Sequence, residues 1–146
     1  MKSKRKMIWL LLMIGVMIGI FYLSNQPAEV SHKISDTVAE EINIQPKDDQ
    51  TTPSTTKIAL GLDIRKMAHV GLFALLGITA MGYTTEASRA LAICLGYAVF
   101  DEIHQFFVEG RTGSVKDVAI DAIGFLLVIF VWEIIAIMMR NRKKKA

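Results

Sequence analysis

The chain has 146 residues, 52% of them hydrophobic and 21% charged, with a mean hydropathy of +0.38. That is about one domain's length, too apolar for a disordered chain and unusually apolar for a soluble one. The formal charge is +3, but nine of the 17 basic residues (Lys2, Lys4, Arg5, Lys6, Arg140, Arg142, Lys143, Lys144 and Lys145) sit at the two ends and leave 8 against 14 acidic residues between them. Such end clusters exclude a nucleic-acid-binding stripe, so no nucleic-acid partner is expected. The single Cys94 excludes an internal disulfide.

In chain order, Met7 to Leu23 carries no charge and follows the first basic cluster. It suits a signal anchor better than a cleaved signal peptide, because its apolar core is long and Leu23-Ser24-Asn25-Gln26-Pro27 is a poor small-x-small cleavage site. Within the following linker, Val30, Ile34, Val38 and Ile42 recur every four residues, the pattern of a short amphipathic helix. Residues 46–57 are polar and low in complexity, the composition of a tether. Met67 to Tyr83 holds one ionisable group, His69. Leu91 to Phe100 is wholly apolar and runs on through Asp101-Glu102-Ile103-His104-Gln105 to Val108. Val118 to Met139 contains only Asp121 and Glu133 as charges.

A helix needs roughly 20 mostly apolar residues to cross a bilayer core, and only helices satisfy the backbone of isolated spans in lipid. The expectation is an all-α integral membrane four-helix bundle forming a single domain over residues 1–146, with spans near 7–23, 67–83, 89–108 and 117–139 and an outer linker over 24–66. Basic clusters at both ends put both termini in the cytoplasm by the positive-inside rule. Arg65 and Lys66 then lie outside, against that rule.

This topology gathers most of the polar groups within the spans into one outer layer. His69 begins the second span, Asp101, Glu102, His104 and Gln105 end the third, and Asp117 and Asp121 begin the fourth. At 1.5 Å per residue Asp101 lies ~10 Å deeper than Val108. Charges at that depth must point inward and pair. Asp101, His104 and Gln105 share one side of their helix by their i, i+3, i+4 spacing, whereas Glu102 stands about 100° round. Arg65 pairs in register with His69, and Asp117 with Asp121. The layer reads as a ligand-binding site made of Arg65, His69, Asp101, Glu102, His104, Gln105, Arg111, Asp117 and Asp121, or as a network that only fixes helix register.

Three chemistries are open to it. Asp101-x-x-His104 has the carboxylate–histidine spacing of helical-bundle metal sites, to which His69 and Asp121 could add ligands. The motif occurs once and is also an ordinary hydrogen-bonded pair, so no metal and no other cofactor is expected. Ser114-x-x-Asp117 is a capping-box-like start for the last helix. With Arg111, Lys116 and two glycines it can surround a phosphate or carboxylate, or Arg111 can simply neutralise nearby carboxylates. A His beside a carboxylate is a general-base pair, which makes His104, His69 and Asp101 the catalytic candidates. Ser24, Ser31 and Ser114 are the hydroxyl nucleophiles at hand, none in a diagnostic elbow. Gly15-x-x-x-Gly19 hints at close helix packing.

The pattern resembles the VanZ-like family of small bacterial membrane proteins. The resemblance rests on Ser24-Asn25-Gln26-Pro27, on Arg65-Lys66-Met67-Ala68-His69, and on Asp101-Glu102-Ile103-His104-Gln105 continuing through Phe107-Val108-Glu109-Gly110-Arg111-Thr112-Gly113-Ser114 to Asp117, Asp121 and Gly124. Glu109 stands where a proline is usual, and Leu72-Phe73 where many members carry an acidic–aromatic pair. The family takes its name from a member linked to low-level teicoplanin resistance. The resemblance therefore implies a multi-pass protein of the bacterial cell membrane with an envelope role. Its partners would be membrane lipids and a lipid-linked wall precursor or a lipoglycopeptide. The non-enzymatic reading stands first; a membrane enzyme acting on a lipid headgroup phosphate or ester, or a purely structural bundle, stands behind it.

Overall fold

The computed structural model describes residues 2–26, 64–111 and 113–145. These form four helices and no strand: α1 (Lys2–Ser24), α2 (Ile64–Thr84), α3 (Ala87–Gln105) and α4 (Val115–Lys145). The all-α expectation holds. The amphipathic helix around Val30, Ile34, Val38 and Ile42 and the tether over 46–57 lie outside the described residues, as do Thr112 and the side chain of Arg65.

Three of the four helices, α1, α2 and α4, are long and apolar enough to cross a membrane. The third does not qualify on composition, because it carries Arg89, Asp101 and Glu102 in 19 residues. It also stops at Gln105, where residues 106–110 turn, rather than running to Val108. The last helix runs beyond the expected span into the basic tail, where Arg140 Nη2 lies 3.8 Å from Glu133 Oε2.

The connection between α2 and α3 is short and self-capped. The Thr84 hydroxyl donates to Ala80 O at 2.8 Å, and Thr85 takes a positive φ of 57° to reverse the chain. Arg89 then pairs with Glu86 at 2.7 Å on the first turn of α3. These contacts make α2 and α3 antiparallel neighbours. α2 packs against all three other helices, most extensively against α4, while α1 and α4 lie on opposite sides of the bundle.

The core follows from residue size. α3 turns Ala90, Cys94 and Ala98 inward, all fully buried, a row of small side chains at a spacing of four that lets its neighbours approach. Phe73 and Leu76 of α2, Phe125 of α4 and Ile20 of α1 fill the space they leave. Gly124 brings α2 and α4 closest: a Cβ there would stand 2.2 Å from Val70 O, so only glycine fits. Outward, α1 and α4 expose Ile8, Leu11, Ile18, Leu127, Phe130 and many other large apolar side chains. That continuous apolar exterior is far beyond what a water-soluble surface carries and matches lipid contact. Gly15 and Gly19 belong to this open surface. A Cβ on either meets nothing within 4 Å, so the close packing hinted by their spacing is not made among the described residues.

Candidate functional site

Antiparallel packing brings the end of α1, the start of α2, the end of α3 and the start of α4 to one end of the bundle, where the polar side chains converge. Asp101 is fully buried and Asp121 is 2% exposed, so both acidic side chains face inward, as their depth requires. His69 sits between them, its Nδ1 3.7 Å from Asp121 Oδ1 and 4.0 Å from Asp101 Oδ2. The Gly124 crossing explains this placement. It lies one turn beyond Asp121 on α4 and meets Val70 of α2, the neighbour of His69.

Two neutral donors hold Asp101. Ser24 Oγ donates to its Oδ2 at 2.8 Å from the last residue of α1, and Gln105 Nε2 donates to the same oxygen at 2.9 Å from one turn along α3. Glu102 is 5% exposed and belongs to the cluster, although its angle from Asp101 suggested another face. The row Ala90, Cys94, Ala98 explains it: Glu102 continues that row at the same spacing of four. Its Oε2 accepts the Ser114 N–H at 2.7 Å, and its Oε1 lies 3.4 Å from Gln105 Nε2. Glu102 thus ties the α3–α4 loop to the bundle. Gly113 allows the close approach, since a Cβ there would stand 2.5 Å from Glu102 O.

Ser114 caps α4 as the sequence suggested, its Oγ accepting the Lys116 N–H at 3.1 Å. The reciprocal half of the capping box is replaced: Glu102 rather than Asp117 takes the Ser114 N–H. Asp117 instead pairs with Lys66 at 3.4 Å on an exposed rim, where an ion pair contributes about 0–1 kcal/mol. Arg111 reaches back across the loop and donates from Nη2 to Leu23 O at 3.2 Å, linking the loop to the end of α1.

His104 departs from its expected role. It stacks on Phe21 of α1 with ring centroids 4.4 Å apart, and its Nε2 is buried with no hydrogen-bond partner among the described residues. The Asp101–His104 pair is therefore not the one the fold assembles around a shared point. Among the described residues the three ligand-bearing side chains that converge are His69, Asp101 and Asp121, whose atoms lie within 4.8 Å of one another.

A cleft of about 330 Å³, counting its open mouth, is lined by Lys66, His69, Glu102, Gln105, Arg111, Asp117, Ile120 and Asp121. Six of the nine residues expected to bind ligand line it: His69, Glu102, Gln105, Arg111, Asp117 and Asp121. Asp101 lies in contact range beneath it through His69 and Gln105. Lys66 and Ser24 are the contributors that the sequence left outside the site. Lys66 was legible as a charge on the wrong side of the positive-inside rule and as part of the Arg65–His69 motif; Ser24, as the residue closing the first span and one of three candidate hydroxyl nucleophiles.

These features define a small helical membrane protein with a polar site at one end of its bundle. The family model described as VanZ/LLP1 matches residues 9–136, and the chain belongs to that family. Comparison with curated proteins and with solved structures finds no match.

Proposed function

We propose that the cleft binds the headgroup of a membrane amphiphile on the outer side of the bacterial cell membrane, and that the chain serves the cell envelope through that binding. Both termini lie in the cytoplasm in this reading, and α3 forms a fourth span whose polar residues are kept from lipid by packing inward. The observation that carries the reading is the mixed lining of the cleft. Arg111 and Lys66 offer donors for phosphate, while Glu102 and Asp121 offer acceptors for hydroxyl and amide groups. A lipid-linked wall precursor, with its sugar, amide and phosphate groups, or a lipoglycopeptide presents that combination. The loop that supplies Arg111 and the first residue of α4 leave Phe107 and Val115 83% and 86% exposed, apolar side chains that suit the membrane interface and favour an amphiphile over a freely soluble ligand.

The test concerns Arg111. A planar guanidinium grips phosphate or carboxylate through two parallel hydrogen bonds, which an ammonium does not reproduce. Lipoglycopeptide susceptibility or envelope-stress tolerance is measured for Arg111→Lys and Arg111→Ala at equal membrane levels. Loss in both variants is expected. Wild-type behaviour of both removes Arg111 from the site, and retention by lysine alone reduces it to a counter-ion.

A second reading, a membrane enzyme acting on the headgroup, draws on His69 standing between two buried carboxylates, a general-base arrangement. Turnover that requires His69 and Asp121 together would favour it over binding alone.

A further inference from the structure

We propose that His69, Asp101 and Asp121 bind one divalent first-row metal ion, of the Zn²⁺ or Mn²⁺ class, in the floor of the cleft. Three independent features lead there.

The first is spacing. His69 Nδ1 stands 3.7 Å and 4.0 Å from the two carboxylates, too far for the hydrogen bonds that would otherwise justify the arrangement. Ligands bonded at ~2.1 Å to one ion stand roughly 3.0–3.4 Å apart. A small closure of side chains converts the present spacing into a coordination shell.

The second is the state of the oxygens. Asp101 Oδ1 and Asp121 Oδ2 are buried with no hydrogen-bond partner among the described residues, on side chains 0% and 2% exposed. A buried carboxylate oxygen left without a donor is costly. These two oxygens sit on neighbouring helices, on carboxylates whose other oxygens stand 4.0 Å and 3.7 Å from one imidazole, and they are acceptors without a donor among the described residues. Asp101 is meanwhile oriented by Ser24 and Gln105 through its other oxygen, the kind of outer hydrogen bonding that fixes a ligating carboxylate.

The third is charge. With His69 neutral, as a metal ligand must be, two cations, Lys66 and Arg111, face four carboxylates, Asp101, Glu102, Asp117 and Asp121. Asp101 and Asp121, the two carboxylates nearest His69, together carry the negative charge that one divalent ion balances. Mixed imidazole and carboxylate ligands suit zinc and manganese. Three protein ligands leave a position free, and His69 and Asp121 both line the cleft, so that position faces it. The metal site goes beyond the headgroup reading and stands whether or not a lipid binds above it.

The test uses the full chain in detergent, stripped with a chelator, dialysed against Zn²⁺ or Mn²⁺ without added ligand, and assayed by elemental mass spectrometry. Wild type is expected to hold about one ion per chain. His69→Ala and Asp121→Asn should each reduce it roughly tenfold or more, since each removes a direct ligand. His104→Ala, which alters the histidine stacked on Phe21, should retain it. Should a variant fail to fold, pulsed EPR of the Mn²⁺-loaded wild type decides alone: coupling to one imidazole nitrogen is expected. Wild type that holds no more metal than the variants, a spectrum without nitrogen coupling, or loss caused by His104→Ala but not by His69→Ala overturns the proposal.

Discussion

Replacing Gly124 by alanine adds a single methyl group at the point where α2 and α4 touch through their backbones. The new Cβ would lie 2.2 Å from Val70 O and 3.0 Å from Ala74 N, against an ordinary contact distance of 3.4 Å or more. The helices must therefore separate by about 1.2 Å at this crossing. Overpacking costs ~1–3 kcal/mol, and contact with backbone rather than with a flexible side-chain end places this case at the upper limit. Alanine's better helix propensity returns ~1 kcal/mol. The net loss is ~2 kcal/mol, roughly a 30-fold fall in the folded-to-unfolded ratio. The controls are Gly15→Ala and Gly19→Ala, whose Cβ meets nothing within 4 Å and which should hold or gain up to ~1 kcal/mol. Unfolding of the detergent-solubilised chain with SDS, followed by far-ultraviolet circular dichroism, separates the two classes. If Gly124→Ala proves as stable as Gly15→Ala, the close α2–α4 crossing, and with it the explanation of how His69 meets Asp121, is refuted.

Ser24→Ala removes one of the two neutral donors to the fully buried Asp101 and should cost ~1–3 kcal/mol in the same unfolding assay. Ser88→Ala, at an exposed site, should stay within ~0.5 kcal/mol; equal effects would mean that the Ser24–Asp101 bond contributes nothing. For topology, Thr52→Cys and Lys144→Cys are made in a Cys94→Ser background and treated in intact cells with an impermeant thiol reagent. Labelling of the first and sparing of the second is expected, and the reverse pattern would place both termini outside.

The convergence of His69, Asp101 and Asp121 was legible in the sequence because apolar runs of crossing length alternate direction. Charges at the start of one run and the end of the next must then share a layer, and their desolvation turns them inward. What pairwise spacing did not reveal was which partners meet within that layer. Asp101 and His104 share a helix face by spacing, yet His104 is drawn to the ring of Phe21 on α1, a contact between residues far apart in sequence. Glu102 belongs to the expected site but stands about 100° from Asp101, and counting from Ala90, Cys94 and Ala98 places it on the buried row. The third helix was expected to span over 89–108 with its polar end turned inward. Asp101 and Glu102 are buried as expected, and with Arg89 they make the helix too polar to qualify as a span on composition alone. Ser24 and Lys66 each lie at a helix end, where the local pattern says little and tertiary placement decides.

The headgroup-binding account is tested most directly by the lipid that accompanies the protein. The full chain is purified in mild detergent from its native membrane, and the co-purified lipids are compared by mass spectrometry with those of a Lys66→Ala, Arg111→Ala double variant at matched yield. The wild type is expected to carry one phosphate-bearing amphiphile at several times its abundance in the bulk membrane, and the double variant to lose that enrichment. Identical lipid profiles, both matching the bulk membrane, would contradict the account.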